Sequence, residues 1–352
     1  MSLKRYSGFE LSGVTVRISK IIDTLITDPI KVLTNHHLYA AIGFVSLLPL
    51  VKNVLVGLYD LLRSKSLNDI SRIYKPTLNA SETSSWVAVT GATGGIGKSF
   101  CQIFARLGFN IIAISRDQTK LDNLETELIA LNSSIKVKKV RIDFSKHYTK
   151  EDIEEIVINQ IRDLDVSILV NNVAEGGCFV FHELNSRKIY NLLHTNICSQ
   201  IFMTQGLMPH FIERSKTLKT GIINISSNMG TEVFLPYFSI YAASKAFNNN
   251  FSLALASEYP QIDILAARPG RTKTSMNPNA KTTPEVQVKA ILRFLGVKKE
   301  TTGTFRSYIE ANYGPSLYWA VKRFIRKGVY STYQTKYRND MLRDADLPLV
   351  IS

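Results

Sequence analysis

The stretch WVAVTGATGGIG, residues 86–97, determines the fold that this sequence predicts. Trp86–Thr90 is a short apolar run of strand type, and a glycine-rich turn from Gly91 to Gly97 leads into a helical pattern at Lys98–Leu107. A glycine-rich turn between a strand and a helix lets backbone N–H groups approach a phosphate closely. The stretch therefore predicts a dinucleotide-binding turn, with candidate contacts at Gly91, Thr93, Gly94, Gly95, Ile96 and Gly97.

Apolar strands alternate with helices along the chain that follows. The predicted strands cover residues 110–115, 137–143, 166–171, 221–226 and 263–267, and the predicted helices cover 98–107, 121–131, 151–162, 186–211 and 284–294. Uniformly apolar strands joined by helices are typical of a parallel sheet that is covered on both faces. We therefore expect an α/β fold with an open, doubly wound parallel sheet over residues 81–300.

The flanking regions differ from this pattern. Residues 1–80 are predicted to form an N-terminal helical region, and the polar stretch 63–85 is predicted to be a linker. Leu38–Tyr59 is apolar enough for a membrane span, a re-entrant hairpin or an interfacial helix. The alternative is a helix buried in a protein core. Residues 301–352 form a basic extension in which 314–330 is amphipathic. That segment would either lie on an anionic membrane, line an acyl-chain entrance or cap the domain.

Composition excludes several classes of function. The 43 Lys and Arg exceed the 29 Asp and Glu by 14, which suits an anionic membrane or a phosphate-rich substrate. No nucleic-acid-binding signature accompanies the charge, so we expect no nucleic-acid partner. The 3 cysteines and 6 histidines show no ligand spacing, so we expect a reducing compartment and no metal.

The candidate catalytic residues lie in SSNMGTEVFLPYFSIYAASK, residues 226–245. Tyr241 and Lys245 are four residues apart and would share one face of a helix, where the ammonium would lower the pKa of the phenol. Ser227 could hold a carbonyl beside that phenol. Taken alone, the spacing is more typical of an amphipathic helix with a half-buried tyrosine and a solvated lysine, and the motifs upstream favour the catalytic interpretation. Asn196, an amide in an apolar helical stretch, would either complete a proton relay or make a helix contact.

Polar residues at strand ends indicate the cofactor. Ser115 stands where a carboxylate would bind the adenosine ribose of NAD, and the guanidinium of Arg116 favours a 2′-phosphate, so we predict NADP(H). Asp143 would reach the adenine or serve as a turn residue. Asn172 follows the fourth strand at the same edge of the sheet.

Together these motifs resemble the short-chain dehydrogenase/reductase superfamily over residues 86–274. TGATGGIG is similar to its cofactor turn, NNVA to its strand end, YAASK to its YxxxK motif, and Pro269–Thr274 to its segment after the sixth strand. The resemblance implies a Rossmann-type fold, with Tyr241 as proton donor, Lys245 on the nicotinamide ribose, Ser227 and Asn196 in support, and Pro269 and Thr274 at the cofactor. One extra residue between serine and tyrosine puts Asn228 at the family's usual offset, whereas Ser226 should point away.

The strings GIGKSF, AISRDQTKL, LVNNV, INISS and IYAASKAF are similar to the very-long-chain 3-oxoacyl-CoA reductases, also called 17β-hydroxysteroid dehydrogenases type 12, and to the type 3 enzymes. This resemblance implies an NADPH-dependent 3-oxoacyl-CoA reductase of fatty-acid elongation on the endoplasmic reticulum membrane, with its catalytic domain in the cytosol. Implied partners are a lipid-like carbonyl substrate, the membrane, other elongation enzymes and a second copy in a homodimer. The alternatives are a steroid or retinoid carbonyl reductase and a non-catalytic NADP(H)-binding scaffold.

Overall fold

The computed structural model describes residues 64–75, 85–177, 179–231 and 237–308, together with residues 51, 52, 55 and 311. The chain divides into two compact units, residues 1–63 and 64–352. The predicted membrane stretch 38–59, apart from residues 51, 52 and 55, and the amphipathic segment 314–330 lie outside the described residues. Among the residues that are described, no helix is both long and apolar enough to cross a bilayer.

Parallel strands form one sheet in the second unit. They are β1 (Trp86–Thr90), β2 (Asn110–Ser115), β3 (Val137–Arg141), β4 (Val166–Asn171), β5 (Gly221–Ile225), β6 (Asp263–Ala267) and β7 (Glu300–Thr301). Their order is β3-β2-β1-β4-β5-β6-β7, so the direction of strand progression reverses between β1 and β4. Such a reversal opens a crevice at the carboxyl ends of the strands, where ligands bind in sheets of this kind.

Helices cover both faces of the sheet. They are α1 (Leu67–Tyr74), α2 (Gly95–Arg106), α3 (Gln118–Leu131), α4 (Lys150–Ile153, Glu154–Ile158 and Asn159–Ile161 in succession), α5 (Ser186–Leu193, His194–Cys198 and Ser199–Arg214), α6 (Ser239–Glu258) and α7 (Pro284–Leu292). In β1, Val87 and Val89 join one hydrophobic core while Trp86 and Ala88 join the other. This alternation confirms the predicted doubly wound sheet, because successive side chains of a strand point to opposite faces.

The linker prediction for residues 63–85 is wrong over α1. Ser66 caps this helix in a reciprocal capping box with Asp69. Ile70 and Tyr74, four residues apart on one face, are fully buried. The Tyr74 hydroxyl donates to Asp263 Oδ2 at 2.6 Å, which attaches α1 to the start of β6. Only two side chains of this mostly polar helix are fully buried, and two more are partly buried against the core, so its hydrophobic pattern in the sequence is weak.

The domain also extends beyond the predicted boundary at residue 300. The short strand β7 pairs with the end of β6 through Ala266–Glu300 and Ala267–Thr301. Thr302 and Ser307 are buried after it. A two-residue strand carries too little periodicity to be read from sequence, so only its pairing with β6 reveals it.

Candidate active site

The glycine-rich turn has the shape that a dinucleotide requires. Gly91 and Gly95 have φ values of +64° and +50°, a backbone region that favours glycine. A Cβ on Gly97 would lie 2.2 Å from the Gly91 carbonyl oxygen, so the turn and α2 pack too closely for any side chain. Around Gly94, by contrast, a Cβ would meet nothing within 4 Å. The turn is therefore closed on the protein side and open on the side where a pyrophosphate would lie, and the residues present fit a dinucleotide.

Asn172 holds this turn in place. Its Nδ2 donates to the carbonyl oxygens of Thr90 at 2.9 Å and Gly91 at 3.2 Å. The backbone N–H groups of Asn172 and Val173 both donate to Thr90 Oγ1, at 2.9 and 3.1 Å. The end of β4 is thus tied to the end of β1. Asn172 acts on the cofactor turn from behind, and direct contact with a cofactor stays a prediction.

The segment after β6 closes over the turn from the other side. A Cβ on Gly95 would lie 2.8 Å from Thr274 Cγ2, so Thr274 rests directly on the turn. The carbonyl of Pro269 accepts a hydrogen bond from the backbone N–H of Asn228 at 3.2 Å. Ile96, at the start of α2, packs against the hydrophobic core. Of these three predicted cofactor residues, Thr274 and Pro269 therefore lie at the carboxyl edge, whereas Ile96 has a packing role.

Ser227 and Tyr241 meet at the same edge. The Ser227 hydroxyl lies close enough to the Tyr241 phenol to favour its ionised form. The neighbouring Asn228, which stands at the family's usual offset, is instead 8% exposed and turned away, with its Nδ2 donating to the Ser307 carbonyl at 2.9 Å. The geometry thus places Ser227, and not Asn228, beside the phenol.

Lys245 lies one turn along α6 from Tyr241 and is 2% exposed. Its Nζ is 5.9 Å from the centroid of the Tyr241 ring and donates to the Ile225 carbonyl at 2.8 Å. Burial lowers the pKa of Lys245 to about 8. Ser226 Oγ donates to the Lys245 carbonyl at 2.6 Å, so it faces α6 and lies away from the phenol, as predicted.

The pKa of Tyr241 is shifted in the opposite direction to the sequence prediction. Burial raises this pKa, and the neighbouring Ser227 hydroxyl opposes the rise only in part. Desolvation disfavours the phenolate of Tyr241, and it disfavours the ammonium of Lys245 as well. The phenol is therefore protonated at neutral pH, which is the state that a proton donor needs.

Asn196 connects the surrounding elements through its buried amide, which is 1% exposed. Its Oδ1 accepts from the Glu175 N–H at 2.7 Å, and its Nδ2 donates to the Glu175 carbonyl at 2.9 Å and to Ser244 Oγ at 3.0 Å. Ser244 Oγ donates in turn to the Tyr241 carbonyl at 2.7 Å. The backbone around Asn196, His194–Cys198, is π-helical, a feature common at functional sites. Both N–H groups of the amide are engaged, and the proton relay stays a prediction.

The predicted adenosine end of the site lies where β2 and β3 finish. Ser115 Oγ and Thr93 Oγ1 are 2.8 Å apart, so the strand end adjoins the glycine-rich turn. Asp143 Oδ1 accepts from the N–H and Oγ of Ser145 at 3.1 and 2.8 Å, which is the turn role weighed for it from sequence. The exposed Arg116 follows Ser115, and its carbonyl accepts from Arg141 Nε at 3.3 Å. The sequence analysis missed Arg141, because only the pairing of β2 with β3 shows that this residue lies next to Ser115 and Arg116.

Two residues beside the phenol were also missed. A Cβ on Gly176 would lie 2.9 Å from Met276 Sδ and 3.6 Å from a Tyr241 ring carbon. Met276 is 60% exposed. The loops after β4 and β6 therefore approach each other in front of Tyr241, and an apolar, flexible side chain borders the approach to it.

A model of the short chain dehydrogenase family matches residues 85–285, which contain the glycine-rich turn and the Ser227, Tyr241 and Lys245 cluster. The chain belongs to this family. Among curated relatives, human 17-beta-hydroxysteroid dehydrogenase type 3 is 36% identical over 237 residues, covering 65% of this chain and 74% of the relative. Very-long-chain 3-oxoacyl-CoA reductase of Bos taurus is 33% identical over 229 residues, covering 62% and 70%.

Solved structures share the fold. A 7beta-hydroxysteroid dehydrogenase has a TM-score of 0.58 at 23% identity, over 65% of this chain and 91% of that protein. A short-chain dehydrogenase from Sphingobium yanoikuyae in complex with NADPH has a TM-score of 0.56 at 24% identity, over 70% and 95%. Family membership makes this protein an oxidoreductase that uses a nicotinamide cofactor.

Proposed function

We propose that this protein reduces the ketone of a 3-oxoacyl-CoA to the 3-hydroxyacyl-CoA with NADPH, as a step of fatty-acid elongation. The observation that carries the proposal is the cluster at the carboxyl edge of the sheet, in which the Ser227 hydroxyl lies beside the protonated phenol of Tyr241 and Lys245 is buried one helical turn away. A hydroxyl pair of this kind suits a carbonyl oxygen that gains negative charge.

Each residue of the cluster has a role in the reduction. Ser227 donates a hydrogen bond to the substrate carbonyl, and Tyr241 transfers its proton to the carbonyl oxygen. The bound nicotinamide supplies the hydride. The Lys245 ammonium, 5.9 Å from the ring centroid, then stabilises the phenolate left on Tyr241. Because burial raises the pKa of Tyr241, the phenol is in the protonated form that the reduction requires.

NADPH is proposed over NADH because of the end of β2. Ser115 carries no charge to repel a 2′-phosphate, and it is already engaged with Thr93. Arg116, next in the chain, is exposed and can bind that phosphate with a bidentate guanidinium.

A very-long-chain acyl-CoA is proposed as substrate because a named reductase of such substrates is among the relatives, and Met276 gives an apolar border to the approach to Tyr241. A steroid ketone is the second candidate. It is favoured by the identity to human 17-beta-hydroxysteroid dehydrogenase type 3, 36% against 33% for the bovine acyl-CoA reductase.

The test measures oxidation of NADPH by the purified full-length protein with a long-chain 3-oxoacyl-CoA, estrone and retinal as separate substrates. We expect the acyl-CoA to give the highest kcat/KM. A higher value for estrone would transfer the proposal to steroids, and turnover of none of the three would refute both candidates.

A pair of tyrosine variants tests the chemistry. Tyr241→Phe should lower kcat by about 100-fold or more, since proton transfer by a positioned group contributes on this order, and should leave NADPH binding intact. Tyr259→Phe removes a phenol hydroxyl from the far end of the same helix and serves as the control. Equal activity of Tyr241→Phe and the control would exclude Tyr241 as proton donor.

We also propose that residues 38–59 attach the protein to the endoplasmic reticulum membrane with the catalytic domain in the cytosol, next to other elongation enzymes. The apolar composition of this stretch supports attachment, and an acyl chain that partitions into lipid supports the location. Alkaline extraction and protease protection of microsomes test it: release into the soluble fraction, or protection of the catalytic domain from added protease, would refute it.

A homodimer is proposed on the family resemblance alone and is checked by light scattering in detergent.

A further inference from the structure

Arg141 occupies a position at the adenosine end of the site that strand pairing alone defines. It is the last residue of β3 and pairs in register with Ser115, the last residue of β2. Ser115 in turn contacts Thr93 of the glycine-rich turn. The backbone of Arg141 therefore lies one strand away from the position at which the adenosine ribose binds in sheets of this type.

The side chain of Arg141 is directed along this edge. Its Nε donates to the carbonyl of Arg116 at 3.3 Å, which holds the guanidinium next to residue 116. Both arginines are exposed. Two cations on adjacent strand ends repel each other, so the arrangement is stabilised by an anion that both can bind.

Among the described residues, three lysines near this edge form ion pairs, whereas the two arginines do not. In the described part of the chain, no acidic side chain forms an ion pair with Arg116 or Arg141. Three nearby lysines have acidic partners: Lys98 with Glu127 at 2.6 Å, Lys120 with Asp117 at 3.5 Å, and Lys139 with Asp122 at 2.7 Å and Glu125 at 2.6 Å. The last residue of β3 and the residue after β2 thus each carry a guanidinium that is available to an anion.

We infer that Arg141 is a second binding residue for the 2′-phosphate of NADP(H), acting together with Arg116. This inference rests on the proposed preference for NADPH and extends it to a residue that the motifs do not include. A phosphate dianion can accept hydrogen bonds from two guanidinium groups, and the planar donor set of arginine suits it better than the point charge of lysine does. The pair divides the recognition of one phosphate between β2 and β3.

The experiment compares two ligands that differ only in the 2′-phosphate, adenosine 2′,5′-bisphosphate and 5′-AMP, by isothermal titration calorimetry with the full-length protein. Arg141→Met should weaken binding of the bisphosphate by about tenfold or more, since charge-assisted hydrogen bonds are lost, and should leave 5′-AMP binding unchanged. Arg141→Lys should restore only part of the affinity.

Lys136→Met is the matched control, because it removes one exposed positive charge from the opposite end of the same strand, about 16 Å away at 3.3 Å per residue. The inference is overturned if Arg141→Met binds the bisphosphate as tightly as this control does, or if it weakens both ligands equally. If the unmodified protein itself binds both ligands equally, the preference for NADPH fails as well. A loss in Arg116→Met alone would leave that preference standing and remove Arg141 from it.

Discussion

Replacing Gly97 with alanine should damage the cofactor turn at its most crowded point. The new Cβ would lie 2.2 Å from the carbonyl oxygen of Gly91 and 2.5 Å from Asn172 Nδ2. The first contact is with backbone, so the turn itself must shift. The second displaces the amide that binds the carbonyls of Thr90 and Gly91.

The expected cost follows from these contacts. Overpacking of a filled site costs about 1–3 kcal/mol, and two displaced hydrogen bonds add about 1 kcal/mol each. Replacing glycine offsets this by about 0.4–1 kcal/mol through the unfolded chain. The sum is a loss of about 2–4.6 kcal/mol in the free energy of unfolding, which lowers Tm by about 4–18 °C in a domain of this size. Dinucleotide binding should fall together with it.

Gly94→Ala provides the contrast within the same turn. At Gly94 a Cβ meets nothing within 4 Å, and the φ of −153° is open to alanine. This variant should keep Tm within about 2 °C and still weaken NADPH binding, because the methyl group enters the space left for the pyrophosphate. Differential scanning fluorimetry and NADPH titration measure the two effects. Equal Tm losses in the two variants, or an unchanged Tm in Gly97→Ala, would refute the packing argument.

Three further predictions follow from the hydrogen bonds and pKa values. Ser227→Ala should lower kcat by about 100-fold, the usual cost of removing one hydrogen-bond donor to a developing oxyanion. Asn228→Ala should lower Tm with little change in kcat. Steady-state kinetics and thermal melting measure both effects, and the reverse pattern would make Asn228 the donor. Burial lowers the pKa of Lys245 from 10.5 to about 8, so between these two pH values the unfolded chain binds more protons than the folded protein does. The free energy of unfolding therefore rises with pH across this window. Below pH 8 the folded protein carries the full cost of the buried ammonium. Compared with the Lys245→Met variant, the unmodified protein should gain at most about 3 kcal/mol in the free energy of unfolding between pH 8 and 10.5. Denaturant unfolding of both proteins at several pH values measures this gain. A stability difference between them that does not change with pH would contradict the prediction. Tyr74→Phe removes the hydroxyl that donates a hydrogen bond to Asp263 and should lower the free energy of unfolding by about 1.5–3 kcal/mol, while kcat stays constant. An unchanged denaturation midpoint would show that this hydrogen bond does not anchor α1.

Local sequence patterns were sufficient to predict those features that depend on residues close together in the chain. The glycine-rich turn, the Tyr241 and Lys245 spacing and the apolar strands were all predicted correctly, because a turn, a helix face and a buried strand are set by residues within about one helical turn of each other. The same reasoning missed α1, whose two buried side chains, Ile70 and Tyr74, have partners far away in the sequence.

The direction of the Tyr241 pKa shift shows the same limit. The sequence places an amine one turn from a phenol, and this proximity alone predicts a lower pKa. Whether the amine or the loss of water dominates depends on how completely the pair is enclosed, and the enclosure comes from strands and loops distant in the chain. Burial dominates here, for both groups.

The sequence by itself determined the fold class, and it predicted the glycine-rich turn as the cofactor site and Tyr241 and Lys245 as the catalytic pair, because each is encoded in short-range spacing. Only the tertiary structure decided between Ser227 and Asn228, assigned Asn172 to the support of the turn, and brought Arg141 beside Arg116. The physical reason is that strand register and the direction of a side chain at a strand end depend on packing between elements, and a shift of one residue reverses which side chain faces the site.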